Sequence, residues 1–426
     1  MQSGLRRVAA ASFIGTAIEF YDFFAYGTAA ALVLNRAFFP QLSPAAGTLA
    51  AFSTYAVAFL ARPLGAALFG HFGDRLGRKS MLVLSLLMMG GATVLIGVLP
   101  GYRSIGAWAP ALLVALRVVQ GLGLGGEWGG AVLLAVESAP PERRGRAGGF
   151  PQLGPSAGFF ASTGAFWLLS VVLDKAAFDS WGWRLPFLAS TALLVTGLVV
   201  RLRIAETPVF AGLAERRETS RRPLLEVLRG SPRQVLLGAG VMAFSYALFY
   251  ISSSYCLVYL TTVRAMPRRT ALSLALVAIV CLAAGTWTSA GASDRLGRRV
   301  PVRAATAAAG LWSLALFPLL DSGSVALTGV GLAVAGLLNG ALHGPIGAFL
   351  PELFAARVRY SGAAVAYNLG GVVGGGAAPL LAIRLQPRFG ADSVGWMLAG
   401  LAVVSLLCLA RLPETAGVAA EEPAAA

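Results

Sequence analysis

Twelve stretches of this chain are each long and apolar enough to cross a bilayer, a span of about 20 residues, and almost nothing is left between them. They begin near residues 9, 48, 80, 108, 147, 184, 233, 271, 301, 324, 361 and 393. In lipid such segments satisfy their backbone only as helices, so the expected fold is an all-α polytopic membrane protein. Composition points the same way. Of the 426 residues, 57% are apolar and 12% charged, against roughly 25% charged in a soluble domain. Mean hydropathy is +0.73. An ordinary soluble enzyme is excluded, and no polar Pro/Ser-rich stretch is long enough to separate soluble domains.

Lys and Arg set the expected orientation, because cytoplasmic loops carry their excess. With the N-terminus inside, cytoplasmic segments hold 23 of the 34 Lys and Arg, the opposite loops 9, and Arg62 and Arg117 lie within spans. Both termini are therefore expected in the cytoplasm. The longest cytoplasmic segment, 203–232, carries Arg216, Arg217, Arg221, Arg222 and Arg229 and divides the chain into six-helix halves, 1–202 and 233–426. The net charge of +15 is read as loop topology and attraction to anionic lipid, with the bilayer as partner and no nucleic acid. Arg6 and Arg7 precede an apolar run interrupted by Glu19, without a small-residue cleavage site, so the first helix is expected to be retained. Cys256, Cys281 and Cys408 lack paired spacing and read as packing residues. Neither a metal nor a cofactor is expected.

The halves repeat each other. Gly70-His71-Phe72-Gly73-Asp74-Arg75-Leu76-Gly77-Arg78-Lys79 returns as Gly291-Ala292-Ser293-Asp294-Arg295-Leu296-Gly297-Arg298-Arg299, with Asp74 and Asp294 offset by 220 residues. Glu137 with Arg143 and Arg144 matches Glu352 with Arg357 and Arg359 at an offset of 215, and Gln152-Leu153-Gly154 matches Asn368-Leu369-Gly370 at 216. The half ends match too, Arg203-Ile204-Ala205-Glu206-Thr207 against Arg411-Leu412-Pro413-Glu414-Thr415. Landmarks in one order at near-constant offset imply two bundles related by a pseudo-twofold axis along the membrane normal.

The tandem D-R-x-G-R-K/R loop resembles that of the major facilitator superfamily. Gly15-Thr16-Ala17-Ile18-Glu19-Phe20-Tyr21-Asp22-Phe23, Arg62-Pro63-Leu64-Gly65 and Gly125-Gly126-Glu127-Trp128-Gly129-Gly130 are similar to its metabolite:proton symporter branch, whose members carry proline/betaine, 2-oxoglutarate, citrate and shikimate. Residues 38–81, Val136-Glu137-Ser138-Ala139-Pro140 and Ser180-Trp181-Gly182-Trp183-Arg184 are most similar to its shikimate carriers. The resemblance implies a monomeric proton-coupled symporter of a bacterial inner membrane that imports a small organic acid by alternating access. It also implies that Asp74, Arg75, Arg78 and Glu137 gate the transporter against the start of the eleventh helix near Ser361, with Asp294, Arg295, Arg298 and Glu352 repeating the arrangement against the fifth.

A charge near the bilayer centre costs at least about 2.5–3.5 kcal/mol, so such groups face a cavity and pair. Gly15, Glu19, Asp22 and Tyr26 share one face of the first helix; Arg62 stands one and two turns beyond Phe59 and Tyr55; Arg117, Gln120, Leu124 and Glu127 share a face of the fourth. Three carboxylates and two guanidiniums are thus expected to meet in one cavity of the first half, either as a structural network or as transport machinery. In the second reading Arg117 or Arg62 takes the substrate anion, its planar fork being suited to a carboxylate. Asp22, Glu19 or Glu127 takes the proton. Tyr26, Tyr55, Gln120 and Gln152 are further candidates for lining the site. From the second half come Tyr246 and Tyr250 with Ser253 or Ser254, Asn339 with His343, and Tyr367 with Asn368, groups that could bond a polyhydroxylated ring. Glycines crowd the fourth and eleventh helices and read as close packing.

Gly121, Gly123 and Gly126 spell a dinucleotide fingerprint but follow no strand. Gly154-Pro155-Ser156-Ala157-Gly158 spells a nucleophile elbow inside a helix, in a chain with only two histidines. The alternatives kept open are another metabolite, a drug exporter of the same superfamily, and a membrane-embedded enzyme for which no nucleophile–base or metal cluster is visible.

Overall fold

The computed structural model describes residues 2–76, 78–137, 139–203, 223–355 and 358–417, without side chains for 2–11 and 70–80 and at a few isolated positions. Most of the expected connecting segment 203–232 lies outside these residues, as do the side chains of Asp74, Arg75 and Arg78.

Twelve long helices account for nearly all described residues. The first half contains α1 (Gln2–Leu32), α2 (Pro44–Leu76), α3 (Arg78–Val98), α4 (Trp108–Glu137), α5 (Arg144–Val172) and α6 (Leu185–Arg203). The second contains α7 (Pro232–Val263), α8 (Arg268–Leu296), α9 (Arg299–Asp321), α10 (Val325–Glu352), α11 (Arg359–Phe389) and α12 (Asp392–Ala410). Most begin within a few residues of the positions expected from the sequence; α1 starts several residues earlier. Three helices are irregular. α4 breaks at Gly126 and Glu127 between the pieces Trp108–Gly125 and Trp128–Glu137. α7 widens to π-helix at Ile251–Tyr255 and Tyr259–Val263, and α11 at Val372–Ala377. Such widened turns recur at functional sites because they free backbone groups and redirect side chains.

The pseudo-symmetry is visible atom by atom where helices cross. A Cβ added to Gly65 of α2 would lie 2.1 Å from the Leu122 carbonyl oxygen of α4, and one on Gly125 would lie 2.0 Å from that of Arg62. In the second half the same two helices touch at Gly285, 2.1 Å from the Leu337 oxygen, and at Gly340, 2.0 Å from that of Leu282. Gly65 and Gly285 are 220 residues apart, Gly125 and Gly340 215, the offsets already seen in the charged motifs. Lipid offers no hydrophobic drive for helices to associate, so glycine crossings of this kind hold them by close backbone packing.

Both termini of the described chain emerge on one face, called here the terminal face; the other is the distal face. Short distal helices join the spans, among them Lys175–Ser180, whose N-cap Asp174 accepts from the Ala177 N–H at 2.7 Å.

Candidate functional site

Arg62 and Arg117 are completely buried, and aromatic rings, not carboxylates, surround them. The Arg117 guanidinium carbon lies 3.9 Å from the Tyr26 ring centroid, 4.9 Å from Tyr55 and 5.1 Å from Phe23. That of Arg62 lies 5.1 Å from Phe59, 5.6 Å from Phe23 and 5.7 Å from Tyr246. A desolvated cation over such faces is held by about 2 kcal/mol or more. Arg62 Nη2 donates to Tyr246 Oη across the two halves at 3.4 Å, and Arg117 Nη1 donates to Gln120 Oε1 at 2.6 Å. Nε and Nη1 of Arg62, and Nε and Nη2 of Arg117, have no hydrogen-bond partner among the described residues. Among the described residues no ion pair joins either arginine to a carboxylate.

The expected meeting of five charges is therefore corrected. Asp22 is buried and accepts from the Ser190 hydroxyl of α6. Its link to Arg117 is indirect: Gln120 Nε2 donates to Thr93 Oγ1 at 2.7 Å, and that threonine is also within hydrogen-bonding reach of Asp22. Glu19 is buried one turn away on α1, close enough to act electrostatically on Asp22. Glu127 lies at the break in α4, and its carboxylate accepts from Ser85 Oγ of α3 at 3.4 Å. Tyr26 bonds Thr54 through its hydroxyl and supports Arg117 with its ring, and Tyr55 stacks on it at 5.9 Å.

The second half closes over this centre. Tyr250 packs edge-on to Tyr55 at 5.5 Å and to Phe59 at 5.2 Å, and stacks with Tyr246 at 6.1 Å. Trp128 lies flat against Tyr367, their centroids 3.8 Å apart, and its Nε1 donates to Gln152 Oε1 at 2.8 Å. Gln152 in turn donates to the His343 carbonyl at 3.0 Å. Asn368 Nδ2 donates to the Gly125 carbonyl of α4 at 3.1 Å, and Tyr360 donates to that of Gly126. Asn339 and His343 share Ser245, whose hydroxyl lies 3.5 Å from Asn339 Oδ1 and 3.3 Å from His343 Nδ1.

On the terminal face Asp294 accepts from the backbone N–H groups of Gly145 and Arg146, at 2.7 and 2.9 Å, and so caps the N-terminus of α5 from the opposite half. Arg298 pairs with Asp294 at 2.8 Å and with Glu352 at 3.2 Å. Arg295, expected in this cluster, is exposed and stays out of it. Glu137 lies within electrostatic reach of Arg359. The half-end motif, given no role from sequence, joins the cluster. Thr415 Oγ1 donates to Glu352 Oε2 at 2.6 Å, and Glu414 accepts from the Arg298 and Arg299 N–H groups at 2.7 and 3.0 Å. Partial burial alone would raise the Glu414 pKa, but these and two further backbone donors, Ala416 and Thr415, hold it below its ordinary value.

Sequence reasoning also missed Thr93, Ser190 and Phe23, which have no charge or spacing to mark them.

The Major Facilitator Superfamily profile matches residues 12–379. The chain is 45% identical to the inner membrane metabolite transport protein YhjE of Escherichia coli (strain K12), over 96% of this chain and 94% of that one. It is 40% identical to the shikimate transporter of the same organism, again over 96% and 94%. Its fold is similar to that of the proton:xylose symporter XylE bound to 6-bromo-6-deoxy-D-glucose, with a TM-score of 0.80 at 18% identity over 99% of this chain and 98% of that one. The chain belongs to the Major Facilitator Superfamily and is a membrane transporter, not an enzyme.

Proposed function

We propose that the protein is a proton-coupled symporter of a bacterial inner membrane that imports a small organic acid such as shikimate by alternating access. One observation carries the reading: four nitrogens of two fully buried arginines have no hydrogen-bond partner among the described residues. A carboxylate takes such donors in pairs, and the guanidinium keeps its charge when desolvated. Arg117, with Arg62 beside it, is the anion-binding group. Asp22 is the first candidate for the proton, with Glu19 and Glu127 after it, because Arg117 reaches Asp22 through Gln120 and Thr93. A substrate carboxylate on Arg117 would draw Gln120 away and change the balance of charge felt at Asp22. Tyr26, Tyr55, Tyr246, Tyr250, Gln152, Asn339, His343 and Asn368 shape the site and supply bonds to hydroxyls. The names of the two relatives support a metabolite, and one of them shikimate.

The Lys and Arg distribution supports a cytoplasmic terminal face. The units 1–202 and 233–426 rock about the site, joined by 203–232, with the Asp294–Arg298–Glu352 cluster closing the cytoplasmic side. A monoanion entering with one proton moves no net charge, so voltage, worth about 2.3 kcal/mol per charge per 100 mV, would not drive it.

Uptake of labelled shikimate into proteoliposomes with an inward proton gradient tests this. Saturable uptake that stops when the pH gradient is collapsed is expected, and Arg117→Gln abolishes it. Uptake indifferent to that gradient would sink the symport reading. Stronger competition by 2-oxoglutarate, citrate, proline or betaine would reassign the substrate, and export of lipophilic cations would favour a drug exporter.

A further inference from the structure

We infer that Asp179, Arg268 and Arg269 form a second gate, on the distal face, closing the same α5–α8 seam that Asp294 closes on the terminal face. The inference rests on the alternating-access reading and names residues to which that reading gives no role. Arg269, in the first turn of α8, donates from Nε to the Ser170 carbonyl at 2.7 Å and from Nη2 to the Val171 carbonyl at 3.0 Å. These carbonyls end α5 and have no further helical turn to bond, and the negative end of the helix dipole lies there. One residue earlier, Arg268 pairs with Asp179 of the first half at 2.9 Å and covers the Phe178 ring, 4.0 Å from its centroid. Arg36 and Lys175, both more exposed, also reach Asp179 at 3.3 Å. Trp167 of α5 adds a neutral bond to Ser273 of α8 at 2.9 Å.

One helix thus holds another at both ends with opposite charges. Asp294, at the end of α8, meets the positive N-terminus of α5, and Arg269, at its start, meets the negative C-terminus. Each contact suits the dipole end it faces, and neither can persist when the halves separate on its side.

The arrangement is no by-product of the internal repeat. The 220-residue offset relating Asp74 to Asp294 carries Arg268 and Arg269 onto Thr48 and Leu49, which have no charge. Among the described residues, the charged clasp between the halves on the distal face lies at the α5–α8 seam.

The test uses the purified full chain with Cys256, Cys281 and Cys408 replaced by Ser and one cysteine introduced by Ser254→Cys. Ser254 is buried and lies against Gly27 of α1, on the contact between the halves. Maleimide labelling of that cysteine reads separation of the halves at the α1–α7 contact, which accompanies opening of the distal side. Asp179→Asn and Arg269→Gln are each expected to speed labelling at least about threefold, the effect of losing roughly 0.6 kcal/mol from the closed state. Asp179→Glu, which keeps the charge, should retain a rate nearer the slow one, and Asp294→Asn should move it the opposite way. Arg264→Gln, which removes a distal charge paired within the second half to Asp321, is the control. Unchanged labelling in the Asp179 and Arg269 variants, or an equal rise in the Arg264 control, overturns the gate. Uptake is measured separately: a labelling response without proton-driven uptake would leave the gate standing and reject the symport reading.

Discussion

Burying Arg62 and Arg117 without a carboxylate partner is costly, and burial of paired charges already adds little stability over apolar packing. Their retention in a core of tyrosines and phenylalanines is therefore argued from use. Arg117→Lys keeps the charge but loses the planar fork, and initial uptake is expected to fall roughly 10- to 100-fold, the range for losing a charged hydrogen bond of about 1.5–3 kcal/mol. Asp22→Asn should abolish proton-driven accumulation while sparing exchange of substrate across the membrane; accumulation like that of the unaltered protein would remove Asp22 from the coupling. Glu414 gives a test outside the membrane. Its carboxyl is held below the usual 4.5, so its stabilisation is present above that value and fades as pH falls through the lowered one. Glu414→Gln should lower the melting temperature near pH 7, and the gap should close in acid. At this scale the charged residues were legible because charge inside an apolar span is conspicuous. Their partners were not, since Thr93, Ser190 and Phe23 look like any packing residue until the helices are assembled.

Helices were the most legible elements, their starts set by charged and Pro/Gly clusters between long apolar runs. The break in α4 and the widened turns in α7 and α11 were not, because periodicity along a continuous apolar run gives no sign of a local change in winding. Glu127, expected to meet Arg117, lies at that break and accepts from Ser85. The glycines were read as close packing, and the crossings show how close. Gly65→Ala drives a Cβ into the Leu122 carbonyl; overpacking of this kind costs about 1–3 kcal/mol, and a clear drop in thermal stability is expected. Gly91→Ala on α3 meets nothing within 4 Å and should leave stability nearly unchanged. Equal losses in both would argue against the crossing as the cause.

At the scale of the whole molecule, the repeat offsets in the sequence already implied two like bundles, and the glycine crossings reproduce those offsets in space. What the sequence left out is how the bundles meet, because contacts between halves combine residues as many as 243 positions apart with no shared spacing. The terminal-face cluster was expected from resemblance alone, whereas Asp179 and its arginines were passed over as loop charges. The broken fourth helix adds one more consequence. Asn368 and Tyr360 of α11 bind the main-chain carbonyls of Gly125 and Gly126, so the first half presents peptide oxygens there that no side-chain exchange along α4 removes. An alanine scan of α4 would not isolate this junction, because a Cβ at Gly125 clashes with the Arg62 carbonyl instead, and only replacement of its donors on α11 would expose it.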